Sequence, residues 1–200
     1  MTPLLREQDT LMIARTGSIA QLGFVVPDLH KAVRYWVEFL KVGPFFVIDE
    51  IRPDSFVHRG RNSDATFAAA LANTGQMQIE LIQPLGDAPS LWHEFAAAGG
   101  QGLQHVAYWT DYFDVEFEAA RNAGYRLAHG GVLSGGRFVY FEADMPGGYA
   151  IELSEQSPAK RAVFGAIRNA AVDWDGTAPV RPWAEALDSA AASAVSDGQR

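Results

Sequence analysis

Gly75-Gln76-Met77-Gln78-Ile79-Glu80-Leu81 and Gly147-Gly148-Tyr149-Ala150-Ile151-Glu152-Leu153 carry one pattern twice. In each, an Ile-Glu-Leu triplet closes the stretch and a glycine stands five residues before the glutamate. An acid between two apolar residues of a strand points to the face opposite its neighbours, so two such acids in equivalent halves of a duplicated fold can converge on one ion. Each triplet also follows an earlier potential ligand, Gln21 in the first case and His105 in the second.

The sequence around each triplet reads as a module. Ile19 to Val26 is a short apolar strand ended by Pro27, and Asp28 is suited to cap a helix in which Leu29, Val33, Trp36, Val37 and Leu40 recur at helical spacing. Gly43 stops that helix, and strands follow at Phe45 to Asp49, Ala65 to Leu71 and Met77 to Ile82, with a loop from Arg52 to Asp64 read as an insertion. After a linking helix, Ser90 to Ala98, the order repeats: a strand at Leu103 to Thr110 and a helix marked by Phe113, Phe117, Ala120 and Ala123. Strands then follow at Tyr125 to His129, Phe138 to Glu142 and Tyr149 to Ser154. The expected class is α+β. It comprises an N-terminal arm (1–17), a βαβββ module (18–86), a linker helix (87–102), a second βαβββ module (103–156) and a C-terminal helical extension (157–200). In that extension Ser157-Pro158 starts a helix with Val163, Phe164, Ile167, Ala171 and Trp174 on one face, and the Ala/Ser-rich tail from Asp188 is expected to fray. The pattern leaves open whether this helix docks on its own module or on a partner subunit of a homodimer.

Composition narrows the chemistry. The 200 residues are 48% hydrophobic and 12% aromatic, enough for a packed core. Sixteen Lys+Arg against 24 Asp+Glu give a net charge of −8, which disfavours nucleic acid and anionic membrane surfaces as partners and leaves small molecules. With no cysteine, any metal must be held by oxygen and imidazole. No segment approaches the length of a membrane span, and no signal-peptide core is evident, so a cytoplasmic setting is the default.

In the first strand Leu22, Phe24 and Val26 share the face suited to the helix, leaving Gln21, Gly23 and Val25 on the other. The same parity sets Glu80, His105 and Glu152 on the face away from their helices. One amide oxygen, one imidazole and two carboxylates make a donor set of charge −2 that balances a divalent cation and leaves coordination positions for water or a bidentate substrate. Singly, a strand glutamate is usually solvated and a strand histidine usually structural. Four at corresponding places in two similar modules are harder to explain as scattered polarity.

Ala20-Gln21-Leu22-Gly23-Phe24-Val25-Val26, Gln104-His105-Val106-Ala107 and the two Ile-Glu-Leu triplets resemble the vicinal oxygen chelate superfamily, which includes glyoxalase I, methylmalonyl-CoA epimerase, extradiol dioxygenases and bleomycin-resistance proteins. The resemblance covers about residues 18 to 155. It implies paired βαβββ modules forming a cupped mixed sheet around one divalent ion (Zn, Ni, Co, Mn, Fe or Mg), with Gln21, Glu80, His105 and Glu152 as ligands. It further implies an isomerase, epimerase or lyase acting on a carbonyl compound, such as an acyl-CoA or a 2-oxo compound, through a metal-stabilised enolate. By this analogy Glu152 removes the proton alpha to the carbonyl and Glu80 returns one. Gln21 stands where extradiol dioxygenases place a histidine, which disfavours ring cleavage. Val25 and Pro84 replace an arginine and an asparagine of glyoxalase I, while the epimerase has histidine first and glutamine second. A different carbonyl substrate is implied. The rival is a bleomycin-resistance-like binding protein without chemistry.

Other residues carry weaker signals. Arg52, His58, Arg59 and Arg61 form a basic island suited to gripping a carboxylate or a CoA phosphate, or merely to solvation. His129 and Tyr140 lie in strands, where packing is the commoner role, and His93 falls on an exposed part of the linker helix.

Overall fold

The computed structural model of the chain describes residues 18–134, 136–142 and 148–197. The expected N-terminal arm (1–17) and Gly147 lie outside them. The chain runs β1 (Gln21–Val25), α1 (Leu29–Glu38), β2 (Phe45–Ile51), β3 (Ser55–His58), β4 (Arg61–Asn62), β5 (Thr66–Thr74), β6 (Met77–Leu85), α2 (Leu91–Ala97). It continues with β7 (Gly102–Thr110), α3 (Phe113–Asn122), β8 (Arg126–Leu133), β9 (Gly136–Glu142), β10 (Ala150–Glu155), α4 (Pro158–Ala170), β11 (Val180–Pro182) and α5 (Trp183–Asp197).

All strands join one sheet in the order β11-β2-β5-β6-β1-β7-β10-β9-β8-β3-β4. Its centre is the antiparallel pair β1/β7, flanked by the parallel pairs β1/β6 and β10/β7. From this centre β6, β5 and β2 spread one way and β10, β9 and β8 the other, so the two halves are arranged alike in a cupped α+β fold.

Strand parity assigns the two faces. Leu22, Phe24 and Val26 pack with Ile79, Leu81 and the buried Leu29 and Val33 of α1, whose first turn is capped by Asp28 accepting from the Lys31 N–H at 2.8 Å. In the other half Phe113 and Ala120 of α3 pack on Phe141 and Leu153. The opposite, concave face is covered by α2 through Leu91 and Trp92, by α4 through Val163, Ala166 and Ile167, and by α5 through Ala186 and Ala190. The C-terminal helices therefore dock on their own chain's cup.

Two expectations are corrected and one unforeseen strand is added. The stretch Arg52 to Asp64 is not a surface loop: β3 and β4 form a hairpin that leaves its own half and pairs β3 with β8 of the other. Burial alternates along β3, with Phe56 and His58 inward; Phe56 packs against Trp92 and Phe138. Asp188 to Asp197, expected to fray, continue α5, in keeping with the high helix propensity of alanine, while residues 198–200 lie outside the described residues. Finally, Val180–Pro182 adds a parallel edge strand beside β2. Among the described residues no helix is long and apolar enough to cross a membrane.

Candidate metal centre

Two adjacent cross-strand rows build the floor of the cup. One runs Leu71, Glu80, Gly23, His105, Ala150 across β5, β6, β1, β7 and β10. The other runs Asn73, Gln78, Gln21, Ala107, Glu152, Tyr140, His129, His58 from β5 to β3. Residues two apart on each strand share a face, so both rows present their side chains to the cup.

Glu80, His105 and Glu152 meet there, with one ligand-type atom of each within 4.8 Å of the others. The His105 Nε2 lies 3.3 Å from Glu80 Oε2 and 3.3 Å from Glu152 Oε2. Two donor atoms at that separation, each about 2.1 Å from a shared ion, subtend about 104° there, between the octahedral and tetrahedral angles. His105 is fully buried, Glu152 is 7% exposed, and Tyr140 places its hydroxyl 3.3 Å from the same Nε2.

Two features fix the imidazole. The β1/β7 register slips between Gly23 and Phe24, whose partners are His105 and Leu103. Gln104 is thus the extra residue of a bulge, which lets its side chain turn to the same side as its neighbour. Its Oε1 lies 2.9 Å from His105 Nδ1, so the Nδ1–H donates to it and the Nε2 lone pair is left for the carboxylate side. The ring then lies directly over Gly23: a Cβ at that position would stand 1.7 Å from His105 Cε1 and 2.1 Å from Nε2. Only glycine leaves room for it.

The charges are strongly coupled in the protein alone. Burial pulls the His105 pKa down, but hydrogen bonding and charge from Glu152 and Glu80 outweigh it and raise it to about 9. Burial pushes Glu152 up, yet His105, the Lys160 charge and Ser154 together bring it down to about 2. A cluster that holds a proton this tightly between two carboxylates is a site of concentrated negative potential, and a divalent cation suits it with neutral imidazole as ligand.

Gln21 is buried in the second row, and its Nε2 donates to Gln78 Oε1 at 2.7 Å. Its amide oxygen makes no hydrogen bond among the described residues. It lines the same cavity of about 200 Å³ as Glu80 and Glu152, between the sheet and helices α4 and α5. The walls are largely apolar and aromatic, with Phe67, Trp92, Phe138, Phe164 and Trp183 among them.

Three of the four residues of the basic island are paired within the chain. His58 Nε2 lies 2.9 Å from Glu94, Arg59 donates to both Glu94 and Glu142 at 2.7 Å, and Arg52 pairs with Glu50. The His58 and Arg59 contacts tie the β3/β4 hairpin to α2 and β9. His129 is buried and accepts the Leu91 N–H of the first turn of α2 at its Nδ1 (3.2 Å). Burial and the neighbouring His58 push its pKa well down, so it is a neutral helix-capping group. His93 is held by Ser90 and the Gly86 carbonyl.

Sequence reasoning passed over Lys160. It sits in the first turn of α4 and reaches into the cavity, bonded to Ser154 Oγ and placed over the rings of Phe164 (5.2 Å) and Trp109 (5.9 Å). The signal was present: Lys160 precedes Val163, Phe164 and Ile167 at the three- and four-residue steps of the apolar stripe, so it shares their face. Burial lowers its pKa, against the raising influence of Glu152, Glu80 and Glu155.

Residues 20–141 match the model of the Glyoxalase/Bleomycin resistance protein/Dioxygenase superfamily. The chain therefore belongs to that superfamily. No curated protein is recognisably similar in sequence. Among solved structures, a hypothetical protein BH1468 from Bacillus halodurans is similar over 70% of this chain and 94% of its own, with 16% identity and a TM-score of 0.51. A methylmalonyl-CoA epimerase from Mycobacterium tuberculosis is similar over 72% and 91%, with 22% identity and a TM-score of 0.50. These likenesses concern the fold.

Proposed function

Starting from membership of that superfamily, we propose that the chain is a divalent-metal-dependent isomerase, epimerase or lyase that removes a proton alpha to a carbonyl. The observation that carries this reading is the meeting of Glu80, His105 and Glu152 on the floor of a largely apolar cup. These three residues would hold the ion, with the amide oxygen of Gln21 as a fourth donor from the adjacent row. When bound, the cation would stabilise the negative charge that develops on the substrate oxygen.

The chain's own residues would divide the remaining work. With the ion bound in place of the proton, His105, fixed by Gln104 and Gly23, would be a neutral and immobile donor. Glu152 would take the alpha proton, since the cationic Lys160 and Ser154 keep it ionised, and Glu80 on the opposite side of His105 would return one. The aromatic walls and helices α4 and α5 would exclude water from the carbanion. One histidine and two carboxylates differ from the two-histidine, one-carboxylate set of oxygen-activating iron enzymes, which disfavours ring cleavage.

The apolar lining also suits the rival reading, a small-molecule binding protein of the bleomycin-resistance type. Elemental analysis and exchange of alpha protons with deuterated solvent separate them. The proposal expects stoichiometric metal, metal-dependent exchange with short ketones, and loss of exchange in Glu152→Gln with folding retained. A protein that never holds stoichiometric metal, or exchange that survives Glu152→Gln, would overturn it.

A further inference from the structure

The cavity has two cationic side chains on its wall, and they differ in one respect. Arg137 is saturated: its guanidinium bonds Glu155 at 2.8 Å and Asp114 at 2.6 Å and lies over the Phe113 ring at 4.4 Å. Lys160 has no carboxylate within salt-bridge distance among the described residues; its contacts there are the Ser154 hydroxyl and two aromatic rings. Glu152, Glu80 and Glu155 act on its charge from a distance, but none touches it, and a cation against apolar walls gains from an anion that does.

The charge balance of the cup points the same way. Glu80 and Glu152 would be neutralised by a divalent ion, which leaves the Lys160 charge in excess. We propose that Lys160 is a specificity-determining residue that binds the carboxylate of a free-acid substrate, an oxo acid whose apolar remainder fills the rest of the cavity. This rests on the reading of the site given above and narrows it to a substrate class.

Position and size define that class further. Ser154 is two residues from Glu152 on the same face of β10, about 6.6 Å along the strand. The anion-binding point thus lies one step from the carbonyl-binding floor, so carboxylate and carbonyl would be separated by a few bonds. A dry cavity of about 150 Å³ accepts benzene. The cavity here, about 200 Å³, admits a ring or branched chain of that size with a short acidic chain, but not a coenzyme A thioester in full.

The probe pair is 4-oxo-4-phenylbutanoate and its primary amide, which match in shape and differ in charge. Calorimetric titration of the metal-loaded full chain should show the acid binding about ten- to a hundredfold more tightly than the amide, as expected for a hydrogen bond to a charged partner. Lys160→Met should abolish that ratio through loss of acid binding while the amide still binds, with the metal content of each variant measured alongside, and Lys160→Arg should retain much of it. Should Lys160→Met fail to fold, Ser154→Ala serves as a second variant, since freeing the ammonium from its hydroxyl partner should reduce the ratio without removing it. A ratio preserved in Lys160→Met overturns the proposal, as does wild-type protein that binds both probes equally or neither. Metal content and alpha-proton exchange are read separately, so a metal-free preparation whose acid preference still depends on Lys160 would defeat the isomerase reading alone.

Discussion

Replacing Gly23 by alanine tests the geometry on which the proposed metal centre depends. The added Cβ would stand 1.7 Å from His105 Cε1, whereas carbon atoms in contact sit about 3.5–4.0 Å apart. The imidazole must therefore move by about 2 Å, which is enough to break its contacts with both carboxylates and with Gln104. Overpacking of this kind costs about 1–3 kcal/mol, and a buried ring nitrogen left without its partner costs about 1–3 kcal/mol more. We expect Gly23→Ala to destabilise the metal-free protein by about 4 kcal/mol, at the middle of that combined range.

The informative measurement is a double-mutant cycle by urea denaturation. In a His105→Ala background the ring is gone, and Gly23 has no positive φ that an alanine could not adopt. The same substitution should there be neutral or stabilising by about 0.4–1 kcal/mol, through reduced freedom of the unfolded chain. Elemental analysis adds a second readout, with Gly23→Ala losing bound metal although it alters no ligand. Equal costs in the two backgrounds, or full metal content in Gly23→Ala, would refute the placement of the imidazole over Gly23.

Metal-free protein should also show a stability plateau with two limbs. His105 has its pKa raised from 6.5 to about 9, so its contribution is complete below pH 6.5 and is lost as pH rises to about 9; Glu152, lowered from 4.5 to about 2, loses its contribution as pH falls through that window. Urea midpoints against pH should reveal an alkaline loss of about 3 kcal/mol that saturating divalent metal flattens, because the ion replaces the proton. Arg59→Ala should cost no more than about 1 kcal/mol, its pairs being partly exposed, and should leave metal content and probe affinity unchanged; a selective loss of anion binding would restore the basic island to the site. Truncation after Gln156 removes α4 and α5 and uncovers the concave face, so the product should bind a hydrophobic dye or aggregate, and a well-behaved monomer with unchanged stability would contradict the docking of these helices.

Strand parity was the most legible information in the sequence. The alternation of Leu22, Phe24 and Val26 with Gln21, Gly23 and Val25 assigned the two faces of β1, and the caps Asp28 and Ser157 marked true helix starts. What escaped was set by distant partners. Ser55-Phe56-Val57-His58 is too short for its alternation to stand out, and its strand character comes from pairing with β8 in the other half. The same holds for Val180–Pro182 beside β2. The basic island was visible, but Glu94 and Glu142, which neutralise it, lie 35 and 83 residues from Arg59. Lys160 was legible on its helical stripe, yet its position against the cup depends on how α4 docks.

The registers also explain why one duplication yields unlike halves. Gln21 pairs with Ala107 and His105 pairs with Gly23, so each polar residue lies opposite the small residue two positions beyond its counterpart. Glu80 is registered with Gly23 from one side and Glu152 with Ala107 from the other. The centre is therefore two acid-small-donor rows, Glu80-Gly23-His105 and Glu152-Ala107-Gln21, related across the β1/β7 ladder. The rows differ in how tightly the donor lies on its small residue. The rigid imidazole needs the bare backbone of Gly23, whereas the flexible glutamine tolerates the methyl of Ala107. A symmetric ancestor with the same donor twice would place two equal groups over the ladder; here one half supplies a fixed imidazole and the other an adjustable amide. The acids are made unequal in the same way, since Ser154 acts on Glu152 and the Lys160 charge acts on it more strongly than on Glu80. On the proposed reading that inequality would separate base from acid, because two carboxylates of identical surroundings would have no preferred direction of transfer.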